Sequence, residues 1–318
     1  MENIRWHARP TLHRPTLVAA FTGWNDAGDS ASTAVRTMIE QWDATPLATI
    51  DPEEFTDFAS TRPHVRLSGG AREIVWPTVS AWYASLPGGD VVFVLGPEPS
   101  LRWRTFCDEM QHLATDMGVG MVLSLGALLA DVSHTRDVNI IGTATDQELI
   151  DRYDLQRSRY QGPTGIVGVL QHTFSTAGLP TMSFWAAVPA YASQVPSPKA
   201  ALALIERACN VIGTPTPDGA LHDEAADYEE RVDQFVEQDR DLVGYVRRLE
   251  SLADAGLDID DDGTFDDEDD DTNFSFHDDD DDDDDDSVGG ESTESLAEAE
   301  PDRLIEEVEQ FLRDQGQA

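Results

Sequence analysis

Lysine occurs once in this chain of 318 residues, at Lys199, and cysteine only twice, at Cys107 and Cys209. A Schiff-base site or a lysine-dependent nucleotide site is therefore not expected. The two cysteines lie in helix-like stretches without metal-ligand spacing. They read as small buried hydrophobes of a reducing compartment, not as a metal pair. Basic charge is equally scarce: 21 Lys and Arg stand against 62 Asp and Glu, for a formal charge of −41. Phosphate backbones need a basic patch, so no nucleic acid is expected as a partner. No run reaches the ~18 apolar residues of a spanning helix, and Met1–Pro10 has no apolar signal region. The expectation is a cytoplasmic chain with no membrane attachment. Common catalytic signatures are also missing: no Walker-type phosphate loop, no GxGxxG after a strand, no GxSxG elbow, no HExxH and no CxxC. The sequence calls for no metal and no cofactor.

What is present is unevenly distributed. Between Asp254 and Glu300 there are 24 acidic residues and no Lys or Arg, with Asp278–Asp286 unbroken, which leaves about −14 on residues 1–253. A self-repelling run of this kind cannot bury enough surface to offset its ordering entropy. Four segments are expected: an α/β core over 1–215, a helical extension over 216–253, a disordered Asp-rich linker over 254–295, and a terminal amphipathic helix over 296–318. The last carries Leu304, Ile305, Val308, Phe311 and Leu312 on one face.

Within the core, continuous apolar runs alternate with helical periodicity. Leu17–Phe21, Leu47–Ile50, Val91–Leu95, 120–125, 138–141 and Met182–Val188 read as strands. Helices are expected from Asp29 or Ser30 (either can serve as N-cap), over 100–117, 146–153 and 165–177, and over Pro198–Ile212. His64–Leu67 and Arg72–Trp76 flank Ser68-Gly69-Gly70 and read as a hairpin at one sheet edge. Residues 222–253 read as one long helix with an apolar stripe from Val232 to Leu249. Buried strands alternating with helices imply a three-layer α/β/α sandwich with a mostly parallel sheet.

Open α/β sheets place their sites at the carboxyl ends of the strands. Five loops fall there: 23–28, 96–100, 134–136, 160–165 and 188–191. From these loops the candidate ligand-binding residues are Asn25, Asp26, Glu98, His134, Arg136, Thr164 and Gly165. Each has a plainer reading beside it. Glu98 can meet a helix N-terminus or an arginine, and His134 can be a hydrogen-bonded loop residue. Gly162 and Gly165 can serve turn geometry or expose N–H groups to an anion. Trp24, Trp103 and Trp185 fit packing as well as stacking, and the acidic loop Asn25-Asp26-Asp29 fits capping as well as a metal.

The strings Phe21-Thr-Gly-Trp-Asn-Asp-Ala-Gly28, Gly96-Pro-Glu-Pro-Ser-Leu-Arg-Trp103, His134-Thr-Arg136, Tyr160-Gln-Gly-Pro-Thr-Gly-Ile166 and Trp185-Ala-Ala-Val-Pro-Ala-Tyr191 occur in order. Together they resemble the proteasome assembly chaperone 2 family, and its longer actinobacterial members in particular, over about residues 15–215. The resemblance implies a phosphorylase/hydrolase-like fold with added C-terminal helices. It also implies self-association, for instance as a trimer, and a protein partner related to the proteasome. Relatives that dock on proteasome rings use a hydrophobic-Tyr-any tail. This sequence ends Asp314-Gln-Gly-Gln-Ala318, so docking of that kind is not expected.

Two functional classes follow. One is a non-catalytic protein-binding or assembly factor. The alternative is a small-molecule hydrolase- or phosphorylase-like enzyme, or a ligand sensor without turnover. In the enzyme reading Glu98 or His134 is the general base, and Arg136 with the helix N-terminus at Gly165 holds an anion.

Overall fold

Strand side chains point alternately to opposite faces, so a strand that is apolar throughout must be covered on both. The computed structural model describes residues 3–217, 219 and 221–256, and four such strands form its centre. In chain order the first elements are β1 (Ile4–Trp6), β2 (Thr16–Thr22), α1 (Ser30–Gln41), β3 (Thr45–Ile50), β4 (His64–Ser68), β5 (Ala71–Val75), β6 (Val79–Leu86) and β7 (Gly89–Pro97). There follow α2 (Trp103–Asp116), β8 (Met121–Ala130), β9 (Ile140–Ala144), α3 (Gln147–Tyr153), α4 (Ile166–Thr176), β10 (Thr181–Pro189), α5 (Pro198–Ile212), α6 (Leu221–Val236) and α7 (Arg240–Asp254).

The main sheet has the order β1-β3-β6-β7-β2-β8-β10-β9. Its centre, β7-β2-β8-β10, is parallel, and the flanking pairs are antiparallel. On β2, Val18 and Ala20 face α1 and α5, while Leu17, Ala19 and Phe21 face α2 and α4. Helices therefore cover both faces and the fold is a three-layer α/β/α sandwich. Burial of each large side chain, such as Phe93, Phe106 or Leu123, contributes about 1.5–3 kcal/mol.

The helices start where local chemistry supplies caps. Asp146 accepts from the amides of Glu148 and Leu149 ahead of α3, and Pro198 occupies the first turn of α5 behind the Ser197 cap. At α1 Asp29 occupies the N-cap position, as expected, but its side chain makes no capping hydrogen bond. Asp26 reaches forward, and its Oδ1 accepts from the amides of Ala31 (2.7 Å) and Ser32 (3.0 Å).

Three further expectations change. The hairpin does not extend the main sheet: β4 and β5 form a two-stranded sheet of their own, with all ten residues exposed. Residues 222–253 are not one helix, since the chain breaks at 237–239 and Asp239 caps α7 by accepting from the amides of Asp241 and Leu242. The strand expected at 138–141 lies at Ile140–Ala144 and runs antiparallel to β10. Helices α6 and α7 share a small core of Tyr228, Val232, Val236 and Val246 with Ala192. The expected linker starts late, since Asp254 still closes α7; its residues beyond 256 and the terminal helix lie outside the described residues.

Candidate functional site

A cavity of about 710 Å³ opens at the carboxyl ends of β2, β8 and β10. Its wall includes the loop from Gly23 to Asp29, the last residues of β8, the start of α4 and the segment 193–196. Of the candidate residues, Asp26, Thr164 and Gly165 line it directly.

Asp26 is held by backbone on two sides. Residue 26 bridges to Ala127 of β8, and Ala127 N donates to Asn25 O at 2.9 Å. With Oδ1 taken up as the cap of α1, Oδ2 is buried and makes no hydrogen bond. Burial pushes the Asp26 carboxyl above the usual range, because water that would solvate the charge is excluded.

Asn25 and Glu98 sit against the same wall. Asn25 Nδ2 donates to Glu98 Oε1 at 2.7 Å, and the same oxygen accepts from the amide of Ile166, the first residue of α4, at 2.7 Å. The helix N-terminus attracts negative charge, and Glu98 supplies it from within the chain. Gly165 makes this tie possible: a Cβ there would lie 2.1 Å from Asn25 Oδ1. Gly126 has the same role across the sheet, leaving room for the ring of Trp185, which also lines the cavity.

His134 and Arg136 are elsewhere. Neither lines the cavity, so the structure does not bring them together with Asp26 and Thr164. They belong to the loop after β8, which clamps α6 and α7. The Tyr191 hydroxyl accepts from the His134 amide at 2.9 Å and is hydrogen-bonded to His134 Nδ1 at 2.7 Å. On the other side of the ring, Nε2 faces the carboxylate Oδ1 of Asp233, an acceptor, at 3.0 Å. Thr135 Oγ1 donates to Glu250 Oε1 at 2.5 Å, and Arg136 forks onto both oxygens of Asp254 at 2.8 and 2.9 Å. Lys199 Nζ donates to the carbonyls of His134 and Arg136 and pairs with Glu229. Burial drives the Tyr191 phenol to about 12. The hydrogen-bonded Arg136 holds the Asp254 carboxyl below its ordinary value. With both ring nitrogens engaged and a wholly buried side chain, His134 is not placed to take a substrate proton. Arg136 is committed to carboxylates of its own chain and is not available to hold an anion.

Some residues of the site escape a motif-based reading. Thr143 and Gln171 line the cavity from β9 and α4, and only the tertiary fold brings them to it, whereas Trp185, weighed above for packing or stacking, lines it from β10. The acidic partners of the clamp do carry a signal. Glu229 and Asp233, and again Glu250 and Asp254, are spaced i, i+4 and so share a helix face. Among the described residues no group of three or more His, Cys, Asp or Glu is arranged to hold a metal, and no helix is long and apolar enough to cross a membrane.

The profile of the PAC2 family matches residues 20–236. A PAC2 family protein from Streptomyces avermitilis is 44% identical over 73% of this chain and 99% of its own, with a TM-score of 0.68. A proteasome-assembly chaperone homologue from Mycobacterium tuberculosis is 42% identical, covers 73% of this chain and 99% of its own, and has a TM-score of 0.67. An archaeal proteasome activator from Pyrococcus furiosus shares the fold at 17% identity, over 74% of this chain and 99% of its own, with a TM-score of 0.62. No curated protein matches the chain.

Proposed function

The chain belongs to the PAC2 family, and from that premise we propose that it is a non-catalytic protein-binding factor of the assembly-chaperone kind, acting on proteasome-related partners in the cytoplasm. The observation that carries this reading is the 42% identity, over nearly the whole of the other chain, with a proteasome-assembly chaperone homologue. The side-chain placement supports it. The two candidate bases are spent on holding the fold, Glu98 at the start of α4 and His134 in the clamp. Exposed apolar surface supports contact. Val65 and Ile74 are cross-strand neighbours on the hairpin β4–β5, and Leu67 lies on the same face and is 73% exposed. Self-association belongs to the same reading, and native mass spectrometry of the full chain checks it.

The test is genetic and biochemical. Deleting the gene is expected to leave proteasome subunits unassembled on native gels, with assembly restored by the full-length chain. Normal assembly in the deletion strain, together with no binding of purified subunits to the purified chain, would overturn the proposal.

A further inference from the structure

The cavity beside Asp26 has no part in the assembly reading, and its chemistry is specific. Asp26 is only 5% exposed, yet its Oδ2 has no hydrogen-bond partner. More than nine in ten buried polar groups are paired, and leaving one unpaired costs about 1–3 kcal/mol. A ligand bringing a donor to this oxygen recovers that cost.

The walls decide the sign of the ligand. None of the lining residues is Lys, Arg or His, and the charged ones are Asp26 and Asp29. Arg159 lies between Ser158 and Tyr160, which line the cavity, but it does not itself do so. The position where α4 would receive an anion is filled by Glu98 Oε1. A phosphate or carboxylate entering here meets carboxylates and no counter-charge. Gln171 directs its amide nitrogen to Thr143 Oγ1 at 3.4 Å, which leaves its carbonyl oxygen as a second acceptor. Aromatic rings make up part of the remaining wall, beside polar residues such as Ser158 and Gln194: Trp24, Tyr160 and Trp185 line it, and Trp24 is 65% exposed. An aromatic face attracts a cation, and aromatic walls stack a planar body. At about 710 Å³ the space is of small-molecule size, well beyond what a lone ion needs.

We propose that this cavity is a binding site for a small organic cation, a primary ammonium on an aromatic body, with Asp26 as the counter-charge and Trp24 and Trp185 as the stacking walls. The same ammonium could also arrive on the lysine of a docked protein, and the assignment is to the free small molecule. The roominess of the cavity and the depth of Asp26 favour that source.

The test is isothermal titration calorimetry on the full-length chain at neutral pH and physiological salt. Tryptamine is the probe, with tryptophol as its neutral analogue and indole-3-propionate as its anionic one. Tryptamine is expected to bind about tenfold or more tighter than tryptophol, as a charge-assisted bond to a buried carboxylate requires, and indole-3-propionate not at all. Asp26→Asn keeps the oxygen that caps α1 and removes the charge. It is expected to cancel the advantage of tryptamine while unfolding at an equal or higher denaturant midpoint, since the buried charge is gone, which also separates the site from diffuse attraction to an acidic chain. Trp24→Ala, a change at an exposed position, is expected to weaken tryptamine several-fold. Equal or tighter binding of indole-3-propionate, undiminished tryptamine binding by Asp26→Asn, or no tryptamine binding at all would overturn the proposal. So would binding of an end-blocked Trp-Lys peptide without binding of tryptamine. None of these results bears on proteasome assembly.

Discussion

The two loop clusters at the strand ends are built from similar residue types and finish differently. Around the cavity, Asp26 Oδ2 and Asn25 Oδ1 are buried without partners. In the clamp, both His134 ring nitrogens, the Lys199 ammonium, the Arg136 guanidinium and the Tyr245 hydroxyl are all bonded within the chain, Tyr245 to Asp131 at 2.7 Å. A loop with so many side chains engaged inside the chain is a fastening, and Tyr228 Oη beside it is the buried group there without a partner. A loop that leaves acceptors open at a cavity has capacity for something outside the chain.

The sharpest way to break this contrast is His134→Ala. Removing the wholly buried ring also strips partners from Tyr191 and Asp233, and a loss of about 3 kcal/mol in chemical denaturation is expected. A loss below about 1 kcal/mol would show that the clamp is not a fastening. Gly165→Ala comes next. Its Cβ would collide with Asn25, displacing the amide from Glu98, and about 2 kcal/mol is expected to go. A neutral result would mean the cavity wall is looser than its hydrogen bonds imply.

Asp26 gives a smaller effect with a definite sign. Its folded pKa is raised by burial, so the folded state holds its proton to higher pH than the unfolded chain does. The associated stability is present below about pH 3.8, the unfolded value, and is lost as pH rises through the raised value. The stability difference between wild type and Asp26→Asn should therefore move against wild type between pH 4 and neutrality. A difference that stays flat would show that Asp26 is solvated. The weakest effect is that of salt. Asp254 and Asp233 are more than half exposed in the clamp, so high salt should hasten amide exchange in α6 and α7 while α1 and α5 hold. Equal acceleration across all four helices would argue against a separable clamp.

The core strands were legible because burial on both faces leaves an unbroken apolar run, as in 91–95 and 182–188. Strand β6 was not legible. Its sequence Val79-Ser-Ala-Trp-Tyr-Ala-Ser-Leu86 mixes small polar residues with aromatics that are only half buried. Gly88-Gly89 then reads as a lead into β7, although Leu86 pairs with Gly89 across a tight hairpin. The three-residue β1 is too short to show a period. Asn25, Asp26, Glu98, Thr164 and Gly165 could be gathered from the sequence because each follows an apolar run or precedes a helical one. The separation of His134 and Arg136 from them could not, because it depends on acidic partners 99 to 118 residues further along the chain.

That separation has a consequence for the order of synthesis. When β8 and the loop behind it have emerged from the ribosome, Asp233, Glu250 and Asp254 have not yet been made. The sheet can close on strands that have already been made, while His134, Thr135 and Arg136 wait for the final helices to arrive. The partners of the loop are made last, so a nascent chain passes through an interval with its core assembled and its basic loop uncovered. Translation pauses after about residue 215 would lengthen that interval, and the arrival of α7 would end it.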